Sequence, residues 1–244
     1  MSAEGAKVQS RRLEVIANNL ANVNTVGFKP DVAAFQSRFA EAIQRGQALD
    51  GDRSMNDVGG GVSVFDTTTD FAAGRLQKTG NQLDLAIVGD GFFQVQDAQG
   101  EQFLTRAGNF TIDSQNRVVT QNGMFLLDSG GSEIALTPGL PYSISATGDI
   151  NQAGNTVQLG LQRPGSLGDL VKVGDNLFRP LAEVQPVEAG MREVRSGFLE
   201  MSGTNSTRQM MDMIETTRAF EANVRVLQSQ DSMSSNLIGR VLLS

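Results

Sequence analysis

Carboxylates are the side chains of this sequence that could carry acid–base or metal chemistry. The chain has 27 Asp and Glu but no His and no Cys, which excludes structural zinc sites, thiol nucleophiles, disulfides and imidazole-dependent triads. A pair of carboxylates can hydrolyse glycosides. No pair stands out by its spacing, and a chain with one Tyr and no Trp has few rings for stacking on sugars. We therefore expect no catalytic residues.

Two short motifs partly match known ligand sites. The segment DGDRSMND (50–57) starts like a calcium loop, but it has Met55 where the loop needs glycine and Gly61 where it needs glutamate. The segment GDGFFQ (89–94) has Gln94 at the third glycine of a dinucleotide fingerprint, and a strand pattern follows it where a helix is required. We expect no metal and no cofactor, a turn between strands at the second motif, and core positions for its two phenylalanines.

Charge and hydropathy exclude further classes of partner. The formal net charge is −7 and no basic stripe is present, so we expect no binding to nucleic acid or to an anionic membrane surface. No run of eighteen apolar residues occurs, which argues against a transmembrane helix. Residues 1–12 are polar and lack the apolar stretch of a cleavable signal peptide.

The N-terminal region has the spacing of an amphipathic helix. Its apolar residues recur at steps of three and four. Gly27 and Pro30 then form a stop signal, because glycine commonly ends a helix and proline cannot continue one. We expect an N-terminal helical segment over 1–30. The apolar stripe consists of Leu13, Ile16, Leu20 and Val23.

The C-terminal region has a longer stripe of the same kind. A helix of about 34 residues, starting at Met210, would be roughly 50 Å long. Such a length favours a coiled coil over an ordinary globular helix. We expect a C-terminal helical segment over 201–244. Its stripe includes Met213, Phe220, Val224, Leu227 and Ile238.

Short alternating apolar runs and glycine turns fill the middle of the chain. They predict an antiparallel β-rich domain over 71–200, joined by an extended connector over 31–70. The fold class is therefore α+β, with two terminal helices forming a coiled-coil-like domain and a β-rich domain inserted between them. The strand-like segments are Phe92–Gln96, Phe103–Arg106, Asn109–Asp113 and Val157–Leu161, and the turn signals are Asn122-Gly123, Gly130-Gly131 and Gly148-Asp149.

The unequal lengths of the two helical segments leave two interpretations open. Neither helix can cover its apolar face on the other over its full length. A stripe left partly exposed predicts association with other chains. Packing of both helices on the β-rich domain is the alternative.

Several segments, in the same order along the chain, resemble the flagellar rod and hook protein family. They cover nearly the whole chain apart from the connector and residues 128–170. The single β-rich domain is similar to that of the rod proteins, whereas the hook protein carries further inserted domains. The segments are ANNLANVNTVGFKP (17–30), LDLAIVGDGFFQV (83–95), FLTRAGNFTID (103–113), GDNLFRP (174–180), SGFLEMSGTNS (196–206) and MIETTRAFEANVRVLQSQDSM (213–233).

The resemblance implies a structural subunit of the flagellar basal-body rod and no enzyme. It implies export through the flagellar type III apparatus without signal cleavage, helical polymerisation in the periplasm, and transmission of torque from motor to hook. The implied partners are copies of the same chain, neighbouring rod and hook-type subunits, the export apparatus and, as further candidates, ring proteins. The connector is intermediate between the two rod types; we expect the proximal type, with the distal type open.

Two departures from the family pattern affect the helix ends. Family members usually carry a further short apolar and aromatic segment ahead of the position of Met1. How the N-terminal end of the first helix packs therefore stays open. Gly203-Thr204-Asn205 follows Ser202, where the family more often has asparagine directly after the serine, so the cap of the second helix can differ.

The resemblance also gives the asparagines near Gly27 an expected role. Asparagine is a poor helix former and its amide is costly to bury without partners, yet it donates and accepts without carrying charge. We expect these amides, together with the two apolar stripes, to form the assembly interface, with Gly27, Phe28 and Pro30 turning the chain toward the β-rich domain. A solvated helix surface is the alternative, and a secreted carbohydrate-binding or hydrolytic domain is the alternative function. The asparagines are Asn18, Asn19, Asn22 and Asn24.

Overall fold

The described α-helices lie near the two ends of the chain. The computed structural model describes the backbone of residues 2–37 and 62–242, and the side chains of 5–34, 67–230 and 232–233. Helix α1 spans Ser2–Ala21 and helix α2 spans Ser206–Leu242. The calcium-loop-like segment 50–57 lies outside the described residues.

Helix α1 ends earlier than its apolar spacing predicts. Residues 22–27 form turns, so Val23 follows the helix instead of extending it. The Thr25 hydroxyl donates to Asn22 Oδ1 at 3.1 Å and the Thr25 amide donates to the Asn22 carbonyl at 3.2 Å. Such local bonds of asparagine and threonine compete with helical ones, and this is why the helix stops before the glycine.

Asn205 caps the start of α2. Its side-chain Oδ1 accepts from the Arg208 amide at 3.1 Å, and its carbonyl accepts from the Gln209 amide at 3.0 Å. This is the usual N-cap arrangement for asparagine. The cap therefore forms at the asparagine that follows Gly203 and Thr204.

Between α1 and α2 the described residues form eighteen short strands, and all of their pairings are antiparallel. The mixture of two terminal helices and an antiparallel middle agrees with the predicted α+β class; the coiled-coil geometry stays a prediction. The strands are β1 (Asp31–Ser37), β2 (Val62–Thr69), β3 (Leu76–Lys78), β4 (Leu85–Ile87), β5 (Phe92–Gln96), β6 (Gln102–Thr105), β7 (Thr111–Ile112), β8 (Val118–Val119), β9 (Phe125–Leu126), β10 (Tyr142–Ile144), β11 (Asp149–Gln152), β12 (Asn155–Gln158), β13 (Leu161–Pro164), β14 (Leu170–Gly174), β15 (Leu177–Pro180), β16 (Val184–Pro186), β17 (Val194–Ser196) and β18 (Phe198–Glu200).

The chain forms two compact units. The helical unit contains α1, β1, β2 and α2, and the β unit contains residues 22–30 and 71–204. In the helical unit α1 packs against α2, and β1 pairs with β2, with Asp31 opposite Thr69. The described part of the segment expected to be an extended connector is thus a two-stranded sheet.

A nine-stranded sheet forms the largest part of the β unit. Its strands run in the order β14-β15-β6-β5-β9-β8-β7, and β13 pairs with both β5 and β16. Three smaller groups are β10-β11-β12, β17-β4 and β18-β3. Strand β5 is central, because it pairs with β6 along one edge and with β9 and β13 along the other.

Five hairpin loops of the β unit share one design. The first residue of each loop is Asp, Ser or Thr, and its side-chain oxygen accepts a hydrogen bond from the main-chain amide of the fifth residue. In the loop that starts at Asp128, the distance from Oδ1 to the Ser132 nitrogen is 2.8 Å. The fourth residue has a positive φ, as in Gly131 at 81°, which explains why glycine or asparagine stands there. The loops are 97–101, 113–117, 120–124, 128–132 and 145–149.

The core of the β unit is fully enclosed. The neighbours Phe92 and Phe93 are 2% and 0% exposed and belong to two different clusters, because successive side chains of a strand point to opposite faces. Phe93 meets Phe110 edge to face at a centroid distance of 5.2 Å. Phe92 packs with Phe178 at 5.8 Å. Both phenylalanines are therefore core residues, as predicted.

The predicted strands are confirmed in part. The strand at Phe92–Gln96 agrees with β5, and Gly89 and Gly91 form the predicted turn before it. The segment Asn109–Asp113 contains only the two residues of β7. The single strand expected at Val157–Leu161 is wrong, because β12 ends at Gln158 and β13 starts at Leu161.

Candidate assembly surface and chain turn

Helix α1 packs against α2 within the helical unit, and the predicted stripe residues with described side chains are buried or half-buried. Ile16 is buried, whereas Leu13 and Leu20 are half-buried. The close approach of the helices is marked by Gly5, where a Cβ would lie 3.3 Å from Asn223 Nδ2. The predicted stripe residues of α2 with described side chains, all half-buried, are Met213, Phe220, Val224 and Leu227. Ile238 lies outside the described side chains.

A second apolar face of α2 is open to solvent. Its residues are between 46% and 64% exposed, which is unusual for methionine and branched aliphatic side chains. By helical periodicity Met210, Met211 and Ile214 share one side near the start of α2, and Val226 and Met233 lie farther along on another side. The sequence spacing did not identify Met211, Val226 or Met233 as interface candidates. The residues are Met210, Met211, Ile214, Val226 and Met233.

Asn19 uses its amide within the chain. It is 3% exposed, its Nδ2 donates to the Asp31 carbonyl at 2.7 Å, and its Oδ1 accepts the Asp31 amide at 3.0 Å. This pair of bonds imitates a strand pairing and ties α1 to the start of β1. Asn18 and Asn24 are exposed and Asn22 is half-buried.

The chain turn is held by main-chain contacts that only glycine permits at Gly27. Its φ is 67°, and a Cβ there would lie 2.4 Å from the Ala107 nitrogen. The Gly27 amide donates to the Glu200 carbonyl at 2.7 Å. The next residue, Phe28, is buried, with Lys172 Nζ 4.2 Å from its ring centroid. Pro30 is also buried.

A buried ionic cluster lies directly beside this turn. Glu200 Oε1 accepts from Lys29 Nζ at 2.7 Å, and Glu200 Oε2 accepts from Arg106 Nη1 at 3.3 Å. Lys29, Glu200 and Arg106 are 1%, 2% and 7% exposed. Lys29 Nζ also donates to the Ala72 carbonyl at 2.9 Å, and the Gly74 amide donates to Glu200 Oε1 at 2.9 Å.

Arg106 is a buried cation whose pKa is shifted by its surroundings. Burial lowers the pKa of its guanidinium from the usual value, and the charge of Glu200 and its hydrogen bond act in the opposite direction. Arg106 Nη2 also donates to the Gly89 carbonyl at 2.8 Å, and the guanidinium lies 5.0 Å from the Phe92 ring centroid. These contacts hold the cation in place at the edge of the core.

Sequence reasoning missed the three ionic residues. Lys29 stands inside the recognised turn motif between Phe28 and Pro30, and a lysine there is read by default as solvated. The pairing with Glu200 spans 171 residues, so no local spacing could indicate it.

The described residues offer little for metal or membrane chemistry. Among them no group of three or more acidic side chains is arranged to hold a metal ion. No helix in this part of the chain is both long and apolar enough to cross a membrane.

Three protein families match successive parts of the chain. The family "Flagella basal body rod protein" matches residues 1–29, the "Flagellar hook protein FlgE/F/G D1 domain" matches 86–166, and the "Flagellar basal body rod FlgEFG protein C-terminal" matches 195–240. The first match covers the turn glycine, and the last covers Glu200 and most of α2.

Curated relatives match along nearly their whole length. The flagellar basal-body rod protein FlgG of Bacillus subtilis is 34% identical, over 96% of this chain and 95% of the relative. The rod protein FlgF of Caulobacter vibrioides is also 34% identical, over 95% and 92%. FlgG of Borreliella burgdorferi is 32% identical, over 95% and 94%.

Proposed function

This chain belongs to the flagellar basal-body rod protein family, and we propose that it is a subunit of the proximal rod that polymerises helically and transmits torque from motor to hook. Members of this family are structural proteins of the basal body, so the chain is not an enzyme. Membership also implies assembly with other rod or hook subunits. The predicted flagellar identity and non-catalytic role are therefore confirmed.

The observation that carries the proposal is the exposed apolar face of α2. Met211 and Ile214 are 59% and 56% exposed and lie close together with Met210, and a contiguous exposed apolar patch marks a site for a protein partner. Because α1 already occupies another side of α2, the exposed face is available to a neighbouring subunit. A contact of this kind between two different surfaces generates a helical assembly when its repetition does not close into a ring.

We further propose that the predicted stripe residues of α1 and of α2 contribute to this interface between subunits. Leu13, Leu20 and Val224 are only half-buried, so part of each side chain remains for contact with another copy. The exposed Asn18 and Asn24 would add hydrogen bonds between subunits. Asn19 holds the Asp31 main chain in place within the subunit.

Placement in the periplasm follows from the proposed assembly. The subunit would pass through the flagellar type III apparatus unfolded and without cleavage, and it would fold and polymerise beyond the inner membrane. Contacts with ring proteins would then be made by surfaces outside the helical interface.

The test is deletion and complementation in the source bacterium. The deletion strain should be non-motile and its basal bodies should lack a complete rod by electron microscopy, and the wild-type chain should restore both. A deletion strain that stays motile while the purified protein binds or cleaves glycans would favour a secreted carbohydrate-active domain instead.

Substitutions on both helices test the interface itself. Ile214→Asp and Met211→Asp should abolish rod assembly while the isolated chain keeps its fold, and Leu20→Asp and Val224→Asp should also abolish it. Glu215→Gln, at the exposed neighbour of Ile214, is the matched control and should complement fully. If the aspartate variants assemble rods, the proposed interface is wrong.

The rod type is tested by cross-complementation. A proximal subunit should restore motility to a strain lacking FlgF and leave a strain lacking FlgG non-motile. The distal type is the second candidate, since relatives of both names match this chain at 34% identity. Rescue of only the FlgG-deficient strain would assign the distal type.

A further inference from the structure

The buried cluster around Glu200 lies where the chain repeatedly enters and leaves the β unit. The β unit consists of residues 22–30 and 71–204, so Lys29 stands just before one exit, Ala72 just after an entry, and Gly203 just before the last exit. Lys29 bonds to Glu200 and to the Ala72 carbonyl, and the Gly203 amide donates to the carbonyl of Phe28, the residue before Lys29.

Glu200 makes a direct contact with each of these chain segments. Its carboxylate accepts from Lys29 Nζ and from the Gly74 amide, and its main-chain carbonyl accepts from the Gly27 amide. As the last residue of β18 it also pairs with Leu76 of β3. One residue therefore holds the turn, the re-entry segment and the final exit together.

The packing beside Glu200 leaves no room for another arrangement. A Cβ on Gly74 would lie 1.8 Å from the Met201 carbonyl oxygen, so this position requires glycine. The Gly203 amide donates to the Phe28 carbonyl at 3.2 Å. The segments on either side of the carboxylate are thus in direct main-chain contact.

A carboxylate suits this position because the segments it joins are irregular. Irregular backbone leaves amides and carbonyls without ladder partners, and burying them unpaired is costly. Glu200 accepts the Gly74 amide, while Lys29 donates to the Ala72 carbonyl. An apolar side chain of similar size could satisfy neither group, and a buried charge without its partner would be strongly destabilising.

We infer that Glu200, with Lys29 and Arg106, is a positioning residue for rod assembly. It fixes the points at which the chain leaves the β unit, and without it the folded β unit presents those exits in variable positions. This inference rests on the proposed function, since the fixed exits matter only if the subunit must join a regular polymer. The cluster acts through the chain segments and touches no partner itself.

The test variant is Glu200→Gln, which keeps the size of the side chain and removes its charge. In the full-length chain, hydrogen exchange at the amides of Gly27, Gly74 and Gly203 should accelerate at least tenfold. The amides of Val95 and Leu104, in β5 and β6, should keep their wild-type exchange rates. Glu133→Gln is the matched control, because it removes one partner of Arg117 at an exposed site of the same unit; it should change none of these rates.

A milder variant covers the case in which Glu200→Gln does not fold. Lys29→Met removes one cation and leaves Glu200 paired with Arg106, and it should accelerate exchange at the same three amides. If either folded variant leaves those amides unchanged, or accelerates exchange equally in β5 and β6, the positioning role is overturned.

Complementation supplies the functional half of the test. With the wild-type chain restoring motility, folded Glu200→Gln and Lys29→Met should reduce swimming in soft agar at least fivefold, and Glu133→Gln should not. Full motility of the folded variants would overturn the inference and leave the proposed function intact. Failure of the wild-type chain to restore motility would instead count against the proposed function.

Discussion

The helical unit and the β unit bury their apolar residues to different extents. In the β unit, Phe93, Leu126 and Leu159 have no exposed surface. In the helical unit the stripe residues of α2 are half-buried and a second set of apolar side chains is exposed. The β unit therefore encloses a core while also exposing apolar side chains such as Leu181, at 69%, whereas the helical unit leaves the stripe of α2 only half-buried.

We therefore expect the two units to contribute differently to the stability of the isolated chain. Hydrophobic stabilisation scales with the apolar area removed from water, so the enclosed core should dominate the stability of the isolated protein. In the proposed assembly the helices would gain further burial. The variants below test that division, beginning with the one expected to have the largest effect.

Phe93→Ala should have the largest effect on the isolated chain. Removing this fully buried ring leaves a cavity beside Phe110 and should lower the free energy of unfolding by about 3–5 kcal/mol. Leu13→Ala, at a half-buried position of α1, should cost about 1–2 kcal/mol. Urea unfolding followed by circular dichroism measures both. Equal losses would contradict the division between the units.

Gly27→Ala tests the turn, with an expected effect of intermediate size. The added Cβ meets the backbone of Arg106 and Ala107, and the residue must keep a positive φ, so the loss should be about 2–4 kcal/mol. Gly80→Ala is the control: its φ is also positive, at 81°, but nothing lies within 4 Å of the added Cβ. That control should cost about 1–2 kcal/mol. Comparing the thermal unfolding of the two variants separates the destabilisation caused by the steric clash from that caused by the positive φ.

Acid should weaken the loops of the β unit. Hydrogen bonds hold the pKa of Asp113 below its ordinary value of 3.8. The largest cause is the bond from the Arg117 amide, followed by the bonds from the Arg117 side chain and the Gln115 amide. A hydrogen bond from Thr147 is the main cause that lowers the pKa of Asp149. Because the pKa values are lower in the folded chain than in the unfolded one, both carboxylates stabilise the fold above the ordinary value. That contribution is lost as the pH falls below 3.8 and through the folded pKa.

The measurement is the free energy of unfolding against pH. It should fall more steeply below pH 3.8 for the wild-type chain than for Asp113→Asn, which has no charge to lose at this position. Parallel curves for the two proteins would show that this loop carboxylate contributes nothing through its ionisation.

Glu14→Gln should have the smallest effect. Its ion pair with Arg11 on α1 is exposed, with side chains 60% and 53% accessible. Exposed pairs of this spacing contribute about 0–0.5 kcal/mol. Thermal unfolding in low salt should therefore barely distinguish the variant. A larger loss would mean that this polar face of α1 contributes to the stability of the isolated chain.

Periodic features of the sequence predicted the elements well. The steps of three and four predicted both helices, and the alternation around Phe92 predicted β5. The turn at Gly123 was predicted from the preceding asparagine, and its φ of 82° agrees with that. These features are local, so neighbouring residues contain the information needed to recognise them.

Features that depend on distant partners could not be predicted in the same way. The apolar spacing through Val23 predicted a longer helix, but Asn22 bonds locally with Thr25 and the helix stops. Asn19 was expected to contact another subunit, and its bonds to Asp31 became visible only with the fold. The break between β12 and β13 arises because Gly160 packs against the backbone of Asp128, where a Cβ would lie 2.7 Å from the Asp128 oxygen.

The hydrogen bonds of the five hairpin loops and those of the Glu200 cluster differ in how far apart along the chain their partners lie. Each loop closes within five residues through its own first side chain, whereas the bond from Lys29 to Glu200 joins residues 171 apart. Short closures cost less entropy and form earlier than long ones. A chain that emerges from its N-terminus first can complete its hairpins while the turn at Gly27 still lacks its partner. Glu200 emerges near the end, so the arrival of β18 completes the β unit just before α2 follows.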